Sequence, residues 1–144
     1  MEVTRNSVAR MLTILLAFLY INNNVITKVR GSLFPHTTHV YVLNKLGGNT
    51  ELKIHCRSKD DDLGTFKIGN GAQYEFKFRP NFFRGLSLTQ FYCDLSYGNK
   101  IKRFDLYEQF RDKGRCRRCY WDVKPEGVHG YDDLGKPVQL TLYW

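Results

Sequence analysis

The sequence predicts an all-β fold: an antiparallel β-sandwich of about eight short strands stapled by two disulfides, following a signal peptide that is removed. Three observations carry that expectation. Short runs of alternating apolar and polar residues recur between Gly- and Asn-rich turns. Four cysteines, an even number, all lie well inside the chain. The chain also opens on two arginines and a short apolar run. At 144 residues the length suits one domain. Hydrophobic residues at 42% and aromatic residues at 15%, against 25% charged, exclude a globally disordered chain. The 12 Gly and 4 Pro follow no short period, which excludes collagen-like and solenoid folds.

Arg5 and Arg10 supply the positive start, and Met11 to Ile21 is apolar over eleven residues. A bilayer span needs about twenty residues, so this run reads as the core of a signal peptide and not as an anchor. Val29 and Gly31 suit the positions before a cleavage site, with a cut near Thr27 as the alternative. The expected division is a signal peptide over residues 1–31 and a sandwich domain over residues 32–144. No second apolar stretch of spanning length follows, so no transmembrane segment is expected and the protein should be secreted to the extracellular space. Removing residues 1–31 takes away four basic residues and one acidic residue, which lowers the charge from +8 to +5. Such a balance favours acidic partners without choosing among them.

In the domain itself, Val40 to Asn44 and Glu51 to Arg57 alternate on either side of Gly47-Gly48-Asn49, as a hairpin would. Lys59 to Gly64 is an acidic loop. Thr65 to Ile68 and Tyr74 to Phe78 flank Gly69-Asn70-Gly71, a second hairpin signal. Arg79-Pro80-Asn81 ends that strand. Leu88 to Ser96 is the strongest strand, and it turns at Tyr97-Gly98-Asn99. Arg103 to Tyr107 is shorter, with a helix between Asp105 and Asp112 as the competing reading. Arg117 to Val123 and Val138 to Leu142 close the series, separated by a loop rich in Gly and Asp.

Cys56, Cys93, Cys116 and Cys119 read as two disulfides in an exported domain. A structural zinc site would want a second closely spaced pair, and Cys56 and Cys93 are distant singletons. The Cys116-Arg117-Arg118-Cys119 spacing suits a redox motif only in a βαβ setting, which the strand-rich pattern opposes. Alternate residues of a strand share a face, so Cys56 falls with Leu52 and Ile54, Cys93 with Phe91 and Leu95, and Cys119 with Trp121 and Val123. All three face the core. The nested pairing Cys56–Cys119 and Cys93–Cys116 is favoured on this basis, and the other two connectivities stay open.

The run His55-Cys56-Arg57-Ser58-Lys59-Asp60-Asp61-Asp62-Leu63-Gly64, then Tyr74 to Phe82, Phe91-Tyr92-Cys93 and Cys116-Arg117-Arg118-Cys119-Tyr120-Trp121, resembles the plant self-incompatibility protein S1 family, the S-protein homologues. The resemblance covers residues 33 to 124 in order. It implies a small secreted β-sandwich with two disulfides that acts as an extracellular ligand in cell-cell signalling, as the founding stigma proteins do towards pollen.

No catalytic constellation accompanies the pattern: His36, His39, His55 and His129 lie in no recognised nucleophile or metal motif, and an enzyme is not expected. No metal or other cofactor is expected either; Asp60 to Asp62 lack the distal Glu of a calcium loop and read as turn residues. Recognition is expected in the loops 57–64, 97–103, 108–115 and 125–137, because loops on a rigid scaffold carry binding. The candidate contacts are Lys59, Asp60, Asp61, Asp62, Lys100, Lys102, Arg103, Arg111, Lys113 and Arg115. If the loops 97–103 and 108–115 share one end of the sandwich, their basic residues form a cationic rim. The expected partner is a plasma-membrane receptor. The alternative is a cationic, defence-related protein held by anionic cell-wall polysaccharide or by membrane. Nucleic acid is not expected, since no reading motif accompanies the charge.

Overall fold

The computed structural model describes residues 7–21, 36–81 and 88–144. The chain divides into two units, Met1–Pro35 and His36–Trp144. In the first, residues 7–21 form a helix, α1, whose side chains are all exposed, among them Met11, Ile14, Leu15 and Phe18. At 1.5 Å per residue it is about 22 Å long, against about 30 Å of bilayer hydrocarbon. Among the described residues no helix is long and apolar enough to cross a membrane. The cleavage positions near Thr27, Val29 and Gly31 lie outside the described residues.

Among its described residues the second unit has nine strands: β1 (Thr38–Asn44), β2 (Leu52–Arg57), β3 (Asp62–Ile68), β4 (Gln73–Phe78), β5 (Gln90–Tyr97), β6 (Lys100–Glu108), β7 (Arg118–Lys124), β8 (Gly127–Tyr131) and β9 (Pro137–Tyr143). A single turn of helix, α2 (Gln109–Asp112), follows β6. The helical ambiguity after Asp105 therefore resolves into a strand to Glu108 and then α2. The strands form a five-stranded sheet in the order β4-β1-β7-β8-β9 and a four-stranded sheet in the order β3-β2-β5-β6. All neighbours run antiparallel except β1 and β7, which are parallel, with Val40 opposite Cys119 and Val42 opposite Trp121.

Strand parity sets the core. Leu52, Ile54 and Cys56, then Phe91, Cys93 and Leu95, then Cys119, Trp121 and Val123 are all buried, as alternation requires. Phe76, Phe78 and Phe91 join Tyr107 in an aromatic cluster, with Phe78 and Phe91 4.5 Å apart. Trp144 closes the edge between the sheets: its ring meets Tyr97 and Phe104 edge-on, and Nε1 donates to the Lys124 carbonyl at 2.9 Å.

Strand β8 stands where a Gly-rich loop was expected. Its glycines are demanded by crowding: a Cβ on Gly127 would lie 2.5 Å from the Leu142 carbonyl oxygen, and one on Gly130 would lie 3.0 Å from the Trp121 ring. Glycine in a strand here marks close approach and not a turn.

The two expected hairpins at Gly47-Gly48-Asn49 and Gly69-Asn70-Gly71 are not hairpins. β1 and β2 lie in different sheets, as do β3 and β4. Both turns are arches that carry the chain across the sandwich, and the buried Asn44 ties them together. Its Nδ2 donates to the carbonyls of Thr50 and Ile68 at 2.9 Å, and its Oδ1 accepts from Leu46 N. Its backbone exchanges hydrogen bonds with Gly71 and Ala72. A turn sequence specifies reversal; it does not specify which sheet receives the returning strand.

The same gap explains the disulfides. The bridges are Cys56–Cys93 and Cys116–Cys119, not the nested Cys56–Cys119 and Cys93–Cys116. Cys56 and Cys93 are direct cross-strand partners of β2 and β5 within the four-stranded sheet, with Cα atoms 4.0 Å apart. Cys119 belongs to the opposite sheet and pairs locally with Cys116, which ends the loop before β7. Facing the core was correct for all three strand cysteines, but parity is blind to sheet membership. The two bridges should differ in weight, since they close separations of 37 and 3 residues. Loop-closure entropy gives about 4 kcal/mol for the first and about 1.5 kcal/mol for the second. Replacing Cys56 and Cys93 by alanine should lower urea stability by more than twice the loss caused by the Cys116/Cys119 double replacement. Equal losses would show that loop closure does not set the difference between the two bridges.

Candidate recognition surface

Strict up-and-down alternation of nine strands sorts the connections by end. β1, β3, β5, β7 and β9 start at one end; β2, β4, β6 and β8 start at the other. The arches 45–51 and 69–72 and the turns 98–99 and 125–126 therefore share one end, the turn end. The loop 58–61, the β4 to β5 connection, the α2 segment 109–117 and the loop 132–136 share the other, the loop end. Residues 82–87 of the β4 to β5 connection lie outside the described residues.

This sorting breaks the expected cationic rim. Lys100 and Lys102 start β6 at the turn end and Arg103 sits within the strand opposite Asp94, whereas Arg111, Lys113 and Arg115 follow it at the loop end. At about 3.3 Å per residue, Lys100 and Lys102 stand roughly 20–26 Å from the end of β6 at Glu108, while Arg103 lies in mid-strand and the Arg111 guanidinium reaches back to the Asp105 carbonyl at 2.8 Å. The expected loop 125–137 divides in the same way, into the turn 125–126, strand β8 and the loop 132–136.

Most of the candidate cations are also committed to partners. Arg103 grips Asp94 through Nε at 2.7 Å and through its terminal nitrogen at 3.0 Å, Arg57 reaches the same carboxylate, and both guanidiniums lie over the Tyr92 ring. The Arg103 hydrogen bond, followed by that from Arg57, holds the Asp94 carboxyl below the usual carboxylate range. Lys100 lies over Tyr97, and Lys102 donates to the Tyr143 carbonyl, bracing β6 against the other sheet.

Arg111 and Arg115 belong to a buried cluster and not to an open rim. Asp112 is fully buried. Its Oδ1 accepts from Nε of Arg111 at 2.9 Å and of Arg115 at 2.8 Å. Its Oδ2 accepts from the Glu108 amide and from the Arg111 terminal nitrogen. The two guanidiniums stand 5.6 and 5.4 Å from the buried Trp121 ring. Arg115 also donates to the Tyr131 carbonyl at 3.2 Å, which joins the α2 segment to β8.

The acidic run is a turn. Ser58 Oγ accepts from the amides of Asp60 and Asp61, leaving their side chains exposed beside Lys59. Asp62 opens β3 and accepts from the Gly64 amide at 2.9 Å and from His55 Nε2 at 2.6 Å, and these bonds lower its pKa in that order.

Sequence reasoning missed the acid that organises the loop end. Asp133 Oδ1 accepts from the amides of Arg117 and Arg118 at 2.8 and 2.6 Å, clamping the loop 132–136 onto the start of β7. Asp132 turns the same loop by accepting from the amides of Leu134 and Lys136. The Asp132-Asp133-Leu134-Gly135 composition signals a turn; nothing in it names the distant amides.

A family model described as plant self-incompatibility protein S1 matches residues 39–144. S-protein homolog 29 of Arabidopsis thaliana is 42% identical over 107 residues, covering 74% of this chain and 77% of the relative. S-protein homolog 5 of the same plant is 40% identical over 94 residues, covering 65% and 70%. The self-incompatibility protein S1 of Papaver rhoeas is 37% identical over 106 residues, covering 72% and 74%. Among solved structures, that of a self-incompatibility protein homologue shares the fold at a TM-score of 0.57 and 18% identity, over 76% of this chain and 96% of that one.

Proposed function

The chain belongs to the plant self-incompatibility protein S1 family, and from that premise we propose that it is an exported extracellular ligand, recognised by a plasma-membrane receptor through the connections at the loop end. The solved homologue is described as one of a family of small, highly stable, secreted plant proteins. The apolar run of α1 and two disulfides without a free cysteine support the same destination for this chain.

One observation carries the reading: the alternation of strands gathers the loops 58–61 and 132–136, the β4 to β5 connection and the α2 segment at one end of a disulfide-linked scaffold, an arrangement suited to presenting side chains to a partner. Lys59, Asp60, Asp61 and Lys113 are exposed there. The protein recognises a partner and performs no reaction on it. The pairing of Arg57, Arg103, Arg111 and Arg115 with buried or half-buried carboxylates favours this reading over non-specific attraction to wall polysaccharide.

The test is exchange of loops 58–61 and 132–136 for those of a relative, followed by binding of the labelled, oxidised protein to plant cells. Saturable binding that follows the exchanged loops is expected. Binding that ignores the exchange, or that never saturates and disappears with salt, contradicts the proposal. Export is checked separately: the secreted protein should begin at Ser32.

A further inference from the structure

Two large apolar side chains stand in water at the loop end although their backbones are fixed. Phe110 and Leu134 are each 78% exposed. Phe110 lies in the first turn of α2, where its amide is held by the Glu108 carboxylate at 3.0 Å. Leu134 sits at the tip of the β8 to β9 turn, its amide held by Asp132. The Asp133 clamp and the bond from Arg115 to the Tyr131 carbonyl hold these two segments together.

On the same two segments and the start of β7, Lys113, Arg117, Arg118 and Lys136 are exposed, while Glu108, Asp132 and Asp133 turn their carboxylates towards backbone amides; the exposed acids of this end, Asp60 and Asp61, lie on the loop between β2 and β3. Neither apolar residue contributes to the core, and single exposed hydrophobic residues need no explanation. Two on clamped segments at one end, with exposed cations on the same segments, form a surface with a chemical preference.

We propose that this end docks on an anionic lipid bilayer, with Phe110 and Leu134 entering the headgroup region and the four cations meeting lipid phosphates and carboxylates. The apolar pair discriminates between candidate occupants. A polyanionic sugar would use the cations and leave the two side chains in water. A second copy of the chain would bring two sets of like-charged side chains together. A bilayer surface accepts apolar tips and basic flanks at once. The inference is independent of the receptor, which the test below does not contain.

The experiment is co-sedimentation of the purified, oxidised protein with vesicles of phosphatidylcholine, alone and mixed with phosphatidylserine. Binding to the mixed vesicles and not to pure phosphatidylcholine is expected. Phe110→Ser with Leu134→Ser should weaken binding by roughly tenfold or more, as removal of buried apolar area dictates. Lys113→Glu with Lys136→Glu should weaken it comparably. Ile101→Ser, equally exposed at the turn end, is the control and should leave binding unchanged. All variants lie on the surface, and an unchanged thermal midpoint confirms that each is folded. Absence of vesicle binding, binding indifferent to the Phe110/Leu134 replacement, or a dimer broken by that replacement overturns the proposal.

Discussion

Replacing Asp112 by alanine should destabilise the domain by about 3–5 kcal/mol, the cost of stripping the partner from buried charges. Asp112 is fully buried, and its two oxygens collect four side-chain or backbone donors from Arg111, Arg115 and Glu108. Its loss leaves two guanidiniums beside the Trp121 ring without a counter-charge. Asp112→Asn keeps the shape and part of the hydrogen bonding, so its cost should fall between wild type and alanine. Urea unfolding followed by tryptophan fluorescence measures both. Equal stability of the alanine variant and the wild type would show that the cluster is dispensable.

Asn44→Leu should cost about 3 kcal/mol, because an apolar side chain of similar size leaves the Thr50 and Ile68 carbonyls and the Leu46 amide without the partner that Asn44 supplies. The damage should concentrate at the turn end, since the residue ties the two arches that cross between the sheets. Hydrogen exchange of the amides of Leu46 and Gly71 should accelerate well before exchange in β5. Asn44→Asp separates the roles: it keeps the acceptor for Leu46 and loses both donors, and it faces two carbonyls with a carboxylate. It should therefore be no better than leucine. A neutral Asn44→Leu substitution would remove the arches from the account of stability.

These two residues mark where sequence reasoning stops. Alternation along a strand is local, so the inward facing of Cys56, Cys93 and Cys119 and the core role of Trp121 were legible from parity alone. Pairing between strands is not local. Gly47-Gly48-Asn49 and Gly69-Asn70-Gly71 announce reversals, and reversal within a sheet and arching to the other sheet begin with the same chemistry. From that one ambiguity came the hairpins that are arches and the nested disulfides that are a cross-strand bridge and a local one. β8 was read as loop because glycine most often punctuates; only the position of the Leu142 carbonyl and the Trp121 ring shows why Gly127 and Gly130 are required.

The candidate contacts divided along the same line. The turn at Lys59 to Asp61 was legible, since Ser and Asp satisfy neighbouring amides. The basic run from Lys100 to Arg118 looked continuous because sequence distance conceals the length of β6. Charge alone also does not distinguish a solvated arginine from one held by a buried carboxylate, which is the case for Arg111 and Arg115. Phe110 and Leu134 sit among polar neighbours in sequence, and only the clamped loops bring them to the same end.

The central claim is that one end of the sandwich meets the cell surface. Lysine footprinting by mass spectrometry tests it most directly: the protein is acylated free in solution and again while bound to plant plasma membrane. Lys59, Lys113 and Lys136 at the loop end should be protected in the bound state, while Lys67 and Lys100 towards the turn end keep their solution reactivity. Protection of Lys67 and Lys100 with continued labelling of Lys113 and Lys136 would contradict the account.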